Sequence, residues 1–420
     1  MKIVGTIVSL LVGVFLCASS LSAAGGKKSA GDSAISADGR FVAFTSSASD
    51  LVANDTNGAS DVFVFDLKKG TTALVSVNLA GTGTGNGGSF GPVISPDGRF
   101  VAFVSGASDL IANDTNGKGD VFVRDLKTGT TTLASVNHAG TNGGNGRSDS
   151  PVLSADGRFV AFQSLASDLV ANDTNVASDV FVRDLKKETT TLVSVNLAGT
   201  DSGLSSFCGP PSNEQQPPLG SISPSISADG RFVAFWGDAS DLVANGPPPH
   251  ACPNVFVRDL KRDTTTLVGG GRDSSISADG RFVVFAFIQV FVYDLKKVTT
   301  TLVSVNQAGT NSGNGGSRDA SISADGRFVA FVSLASDLVA NDTNGQPDVF
   351  LFDLKKGTTT LVSINQAGTD SGNGQSSSPV ISADGRFVTF QSSASDLVAT
   401  GTTADGFVRD LRAGTTTPLP

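Results

Sequence analysis

The tetrapeptide Asp-Gly-Arg-Phe occurs seven times, beginning at Asp38, Asp97, Asp156, Asp229, Asp279, Asp325 and Asp384. The steps between copies are 59, 59, 73, 50, 46 and 59 residues. Self-similarity at such a period means that one supersecondary unit is used repeatedly. Every copy reads in the same order. A short apolar piece (residues 92–95, Pro-Val-Ile-Ser) leads into the Asp-Gly turn, and an apolar run follows (99–103, Arg-Phe-Val-Ala-Phe). A long polar loop comes next, then a second run (120–125, Asp-Val-Phe-Val-Arg-Asp). A Lys-Gly-type turn and a final Thr-rich run (131–136) complete the copy. A Gly/Asn/Ser-rich loop then enters the next one.

Each repeat therefore predicts four strands, a to d, with Asp-Gly read as a two-residue hairpin turn between a and b. Strands b and c are apolar on both sides and must be covered on both faces. Sheets stacked radially give that cover, because each blade packs between two others. Seven repeats predict an all-β, seven-bladed β-propeller of four-stranded antiparallel blades. The chain starts with strand a and ends with strand d, so no swapped closing strand is expected. Composition agrees. Of 39 acidic residues only Glu188 and Glu214 are Glu, and Asp suits turns where Glu suits helices.

The run Ile94-Ser95-Pro96-Asp97-Gly98-Arg99-Phe100, with Ala in place of Pro96 in the other six copies, resembles the TolB-type propeller repeat. The resemblance covers about residues 31–420. It implies the propeller fold and carries little about activity.

Residues 1–24 read as a secretory signal peptide: Lys2, an apolar stretch, then Ser22-Ala23-Ala24 as the cleavage site. A short tail, 25–30, precedes the propeller at 31–420. The expected destination is the periplasm or the extracellular space. No other run is long enough to span a bilayer. A net charge of −9 argues against a nucleic-acid partner, and a monomer is expected.

Strand alternation puts the b–c and d–a loops at one end of each blade, and those loops are the long ones. Binding is expected there. The b–c loop carries Asp-Thr-Asn with an Asp six residues after the first: Asp55, Asn57 and Asp61; Asp114, Asn116 and Asp120; Asp173, Asn175 and Asp179; Asp342, Asn344 and Asp348. Oxygen ligands spaced around a Gly bend suit calcium. The same text also suits an Asx turn with the last Asp capping a strand. Ala53 stands at the first ligand position, and Val176 replaces the loop Gly in blade 3. Ser49 is expected to N-cap a short helical turn that folds Leu51 and Val52 onto the blade.

Blade 4 carries two insertions, holding Cys208 and Cys252. In an oxidising compartment these predict a disulfide, contributing roughly 3–4 kcal/mol on the chain-entropy estimate. A metal site with His250 lacks a fourth ligand. Blade 5 has almost no b–c loop, which predicts a notch beside the raised blade 4. There Trp236, Asp238, Arg272 and Asp273 form a candidate cleft for a sugar or peptide. Cover for the inserted loops is the competing role of Trp236.

No Gly-x-Ser-x-Gly elbow is present, and His138 reads as a surface residue. The expectation is an exported, non-catalytic propeller that binds a protein or glycan through its long-loop face. Two alternatives stay open. One is a carbohydrate-active hydrolase or lyase using Asp pairs at the channel mouth. The other is a calcium-stabilised structural protein at the cell surface.

Overall fold

The computed structural model describes residues 33–37, 40–66, 68–204, 220–247, 253–398 and 406–418. The predicted signal peptide and tail, and the Cys208–Cys252 pair with His250, lie outside them. The described chain is all-β. It forms seven sheets of four antiparallel strands, each sheet built from four consecutive strands in sequence order. This is the seven-bladed β-propeller fold, and no blade borrows a strand from another repeat. Blades 1–4 belong to one compact unit, spanning 31–270, and blades 5–7 to a second, spanning 271–420.

In blade 2 strand a is Ser89–Ile94, b Phe100–Ser105, c Asp120–Asp125 and d Thr130–Leu133. Val101, Ala102 and Phe103 are all buried, as the two-sided apolar text requires. The b and c strands meet through a Phe pair in every blade, such as Phe103 and Phe122 with ring centroids 5.9 Å apart. The outer d strand alternates exposed and half-buried Thr. Strand a is longer than its apolar text. In blades 2–7 it carries a register shift against strand b. A positive-φ residue sits in each of these strands, Gly91 in blade 2 and Ser150, Ser223, Asp273, Asp319 and Ser378 in the rest. One extra residue absorbed this way bends and twists the strand.

The Asp-Gly turn differs from the expected two-residue hairpin. Ser95 N donates to Phe100 O at 2.8 Å, and Gly98 N to Ser95 O at 2.8 Å, so four residues make the connection. Ser95 is the organiser. Its hydroxyl accepts from Phe100 N at 2.9 Å and donates to Asp97 Oδ1, which accepts from Arg99 N. Gly98 takes φ 71° and lies against Phe41 of blade 1. Gly157 lies against Phe100, Gly230 against Phe159, Gly326 against Phe282 and Gly385 against Phe328. Only Gly meets both demands, a left-handed backbone and no Cβ where the preceding blade's ring packs.

The expected helical turn after Ser49 is a set of turns and bends without helix. Its Ser-Asp text has another use. Asp109 Oδ1 accepts from Asn86 N at 2.8 Å, and Ser108 Oγ from Asn86 Nδ2 at 2.9 Å, which ties the d–a loop of blade 1 to the b–c loop of blade 2. The same latch joins Asn145 to Ser167 and Asp168, Asn314 to Ser336 and Asp337, and Asn373 to Ser395 and Asp396. In later blades the Leu after this Asp folds inward, whereas Leu51 and Val52 of blade 1 are half-buried. Leu110, Leu169, Leu338 and Leu397 are all buried.

Candidate functional site

The Asp-Thr-Asn loops of blades 1, 2, 3 and 6 are wired by their Asn residues. The side-chain carbonyl of Asn57 accepts from Ala59 N at 2.8 Å, which is an Asx turn. Its amide donates to Asp61 Oδ2 and to Gly85 O, both at 2.8 Å. Asn116 and Asn344 repeat all three bonds. The Asn therefore clamps the b–c loop to the d–a loop of its own blade, and its oxygen is already used by the turn. Asp61 lies beneath, accepting from Ser76 Oγ at 2.6 Å, while that hydroxyl accepts from Val62 N. Asp120, Asp179 and Asp348 hold the same place against Ser135, Ser194 and Ser363.

Blade 3 departs from this pattern for a readable reason. Gly58, Gly117 and Gly345 each take φ 66° after the Asn, whereas blade 3 has Val176, which stays out of the left-handed region. Asn175 still makes its Asx turn to Ala177 N and still reaches Gly203 O. Asp179 Oδ2, however, is buried without a hydrogen-bond partner, and so is Asp173 Oδ1. Burial pushes Asp179 up to about 7 and Asp173 up to about 6. Both oxygens of Asp55 and Oδ1 of Asp342 are likewise buried without a partner. Burial raises Asp114 to about 6 and Asp348 to about 7, and it also raises Asp55, Asp61, Asp120 and Asp342.

Sequence reading missed the contribution of the d–a loop. Asp201 accepts from Thr174 Oγ1 at 2.7 Å, and Asp370 from Thr343 Oγ1 at 2.6 Å. This brings a third carboxylate into the field of Asp173 in blade 3 and of Asp342 in blade 6. Blades 1 and 2 have Gly83 and Asn142 at this position. The signal was present in the aligned loop text as an Asp restricted to two repeats. Among the described residues, no three Asp, Glu, His or Cys side chains stand together at metal-ligating spacing.

Blade 5 shows what the fold requires once the acid is removed. Gln289 stands in its short hairpin and does the work of both Asn and Asp. Its carbonyl accepts from Ser304 Oγ, and its amide donates to Gly315 O at 3.0 Å. The carboxylate is thus dispensable for holding strand c.

Trp236 is 4% exposed within strand b of blade 4, Phe232–Gly237, and so presents no open face for stacking. Asp238 is buried beside it in sequence. Arg272 is exposed at the start of strand a of blade 5, Arg272–Ile276, and Asp273 is the φ 53° residue of that strand. His138 is exposed, and its backbone N donates to Asp168 O.

Exposed apolar side chains collect at the loop end of blade 3. Leu165 stands where blades 1, 2 and 7 have Ser47, Gly106 and Ser393 and where blade 6 has the likewise exposed Leu334. Val176, 90% exposed, replaces the loop Gly. Leu204, 67% exposed, replaces the latch Asn. Leu197 joins them from the d–a loop. Asp241 of blade 4 fixes two of the four, its carbonyl accepting from Leu197 N and its carboxylate from Leu204 N, both at 2.8 Å.

The chain is a β-propeller protein whose distinguishing features are these loop ends. No protein-family model and no curated protein matches it. Solved structures share the architecture at low identity. TolB from Acinetobacter baumannii is 14% identical, covering 98% of this chain and 89% of its own, with a TM-score of 0.39. A prolyl endopeptidase is 13% identical, covering 99% and 51%, with a TM-score of 0.55. The β-propeller domain of the Trilobed protease from Pyrococcus furiosus is 13% identical, covering 93% and 96%, with a TM-score of 0.50. At such identities the likeness to the last two speaks for the fold alone.

Proposed function

We propose that this chain is an exported, non-catalytic β-propeller that binds another protein through the loop end of blade 3. The observation that carries the reading is the replacement of Gly and Asn by exposed Val176 and Leu204 at loop positions where the matching repeats have Gly or Asn, on the same loops that carry exposed Leu165 and Leu197. Clustered exposed apolar side chains mark contact surfaces, where single ones do not. Leu197 and Leu204 are also held in place through Asp241, which lowers the ordering cost of binding. Aliphatic side chains favour a protein over a glycan, which needs exposed aromatic platforms and hydrogen-bonding groups. The loop carboxylates support a non-catalytic role, being buried or tied into turns.

A photo-crosslinking amino acid in place of Leu197, with Lys187 at the opposite end of the blade as control, tests this in the producing cell. A protein adduct of defined mass from position 197 alone supports the reading. Equal labelling from both positions sinks it. So does the absence of any adduct at 197 when a glycan array is positive.

A further inference from the structure

We infer that the c–d turns of blades 5, 6 and 7 dock on an anionic phospholipid surface through Lys296, Lys297, Lys355, Lys356 and Arg412, with Val298 entering the acyl boundary. The inference concerns the short-turn ends of the blades and not their loop ends, so it and the protein-binding reading can fail separately.

The argument begins with a backbone outlier. The residue that closes each c–d turn takes a positive φ. It is Gly70, Gly129, Gly357 or Gly414 in four blades and Glu188 or Asp263 in two. Blade 5 has Val298 there, at φ 57°. A β-branched side chain is a genuine outlier in the left-handed region. The bond from Val298 N to Asp294 O, 2.8 Å long, holds it in place. At 70% exposure this side chain fills no core. Among the described residues it is the one large apolar side chain exposed in a c–d turn. Strain kept at an exposed position points to a use outside the fold.

The surroundings of Val298 are cationic. Lys296 and Lys297 precede it, and both are exposed. Backbone bonds from Ala278 N to Ala324 O at 3.1 Å and from Ala324 N to Ala383 O at 3.2 Å set the a–b turns of blades 5, 6 and 7 side by side. The c–d turns lie at the same end and add the exposed Lys355, Lys356 and Arg412. The ion pairs of this end join Arg281, Arg327 and Arg386 to Asp294, Asp353 and Asp410, and the five exposed cations stand outside them. Asp279, Asp325 and Asp384 are each occupied by a Ser hydroxyl and an Arg N–H of their own turn. With Arg409 included, basic residues outnumber acidic ones here by nine to six. At the loop end of these blades the balance reverses, with Asp337, Asp342, Asp370 and Asp396 and no Lys. Strand b of blade 6, Phe328–Ser333, separates the two ends. Six residues of strand span about 20 Å, more than twice the screening length of about 8 Å at physiological ionic strength. An anionic surface therefore meets the basic end without the repulsion of the loop acids.

A single aliphatic tip among long cationic side chains suits a headgroup plane. Lysine stems lie along the apolar boundary while their ammonium groups stay with the phosphates. A protein interface needs a wider apolar centre, and a nucleic acid offers Val298 no apolar layer.

The test is cosedimentation of the secreted, processed protein with vesicles of phosphatidylglycerol and phosphatidylcholine in equal parts, against vesicles of phosphatidylcholine alone. Binding is expected to the mixed vesicles only, strongest at low salt. Lys296→Gln and Lys355→Gln should each weaken it about fivefold. Val298→Gly should weaken it several-fold and yet raise the melting temperature, because Gly accepts the left-handed backbone without strain. Arg318→Gln, at the loop end, should leave binding unchanged. No binding to the mixed vesicles at low salt overturns the inference, and so does equal binding to both kinds. A Val298→Gly protein that binds like the parent also overturns it, since any polyanion would then serve.

Discussion

Arg99 grips Asp125 with both arms of its guanidinium, Nε to Oδ1 at 3.1 Å and Nη2 to Oδ2 at 2.7 Å, across 26 residues of sequence. The same fork recurs in all seven blades, as Arg40 on Asp66, Arg158 on Asp184, Arg231 on Asp259, Arg281 on Asp294, Arg327 on Asp353 and Arg386 on Asp410. Each Arg also lies over the ring of the Phe that follows it, Arg99 at 4.6 Å from the Phe100 centroid. The gripped Asp caps the c–d turn, Asp125 accepting from Lys127 N at 2.9 Å. One side chain thus ties the a–b turn to the c–d turn at the short-turn end. Arg99→Ala and Asp125→Ala should each lower the melting temperature, and the double variant should lose clearly less than the sum of the two single losses. Arg99→Lys should recover only part, because an ammonium cannot form the fork. Additive losses in that cycle would mean that the fork contributes nothing.

Gly157 and Gly140 have nearly the same backbone, φ 69° and 71°, in different surroundings. A Cβ on Gly140 would meet nothing within 4 Å, whereas one on Gly157 would overlap the Phe100 ring. Gly140→Ala should cost about 1 kcal/mol for the left-handed backbone alone. Gly157→Ala should cost roughly 1–3 kcal/mol more, as overpacking displaces the ring. Equal losses in urea denaturation would show that the inter-blade contact is slack.

Two groups of carboxylates set opposite pH dependences. Asp66, Asp125, Asp184 and Asp410 are held down at about 2, mainly by the Arg hydrogen bonds. Their contribution is present above an unfolded Asp pKa of about 3.9 and is lost as pH falls toward 2. Asp114 and Asp173, raised to about 6, and Asp179 and Asp348, raised to about 7, act the other way. Folded protein then binds more protons than unfolded protein between pH 4 and 7, so stability falls as pH rises through that window. In chelator, calorimetry should find the highest melting temperature near pH 4, with losses on both sides. A melting temperature that climbs steadily from pH 4 to 8 would contradict the burial of these acids.

Gln289→Glu should be costly in blade 5. The neutral amide donates to Gly315 O, and a carboxylate there would face the carbonyl without a proton. The expected loss is about 2 kcal/mol or more at pH 7.5, shrinking on acidification as the new Glu protonates. A loss independent of pH would point to packing instead.

The seven blades, their four strands and the Asx turns of the loops were legible in local text. Strand periodicity, Asp-Gly turns and the Asn-Gly pair act within a few residues of themselves, so seven copies repeat one answer. The order of strands within each sheet followed from the same repetition. What the chain could not announce locally were meetings between distant positions. Arg99 on Asp125, Gly157 under Phe100 and Asp201 beside Asp173 each depend on strand register and on how one blade sits against the next. Trp236 looked available because it is the single Trp and ends an apolar run, but packing buries it. Residue type and spacing determine which groups a blade has to offer. Only the tertiary structure decides which of them are left buried without a partner, because desolvation and hydrogen-bond satisfaction are properties of the packed neighbourhood.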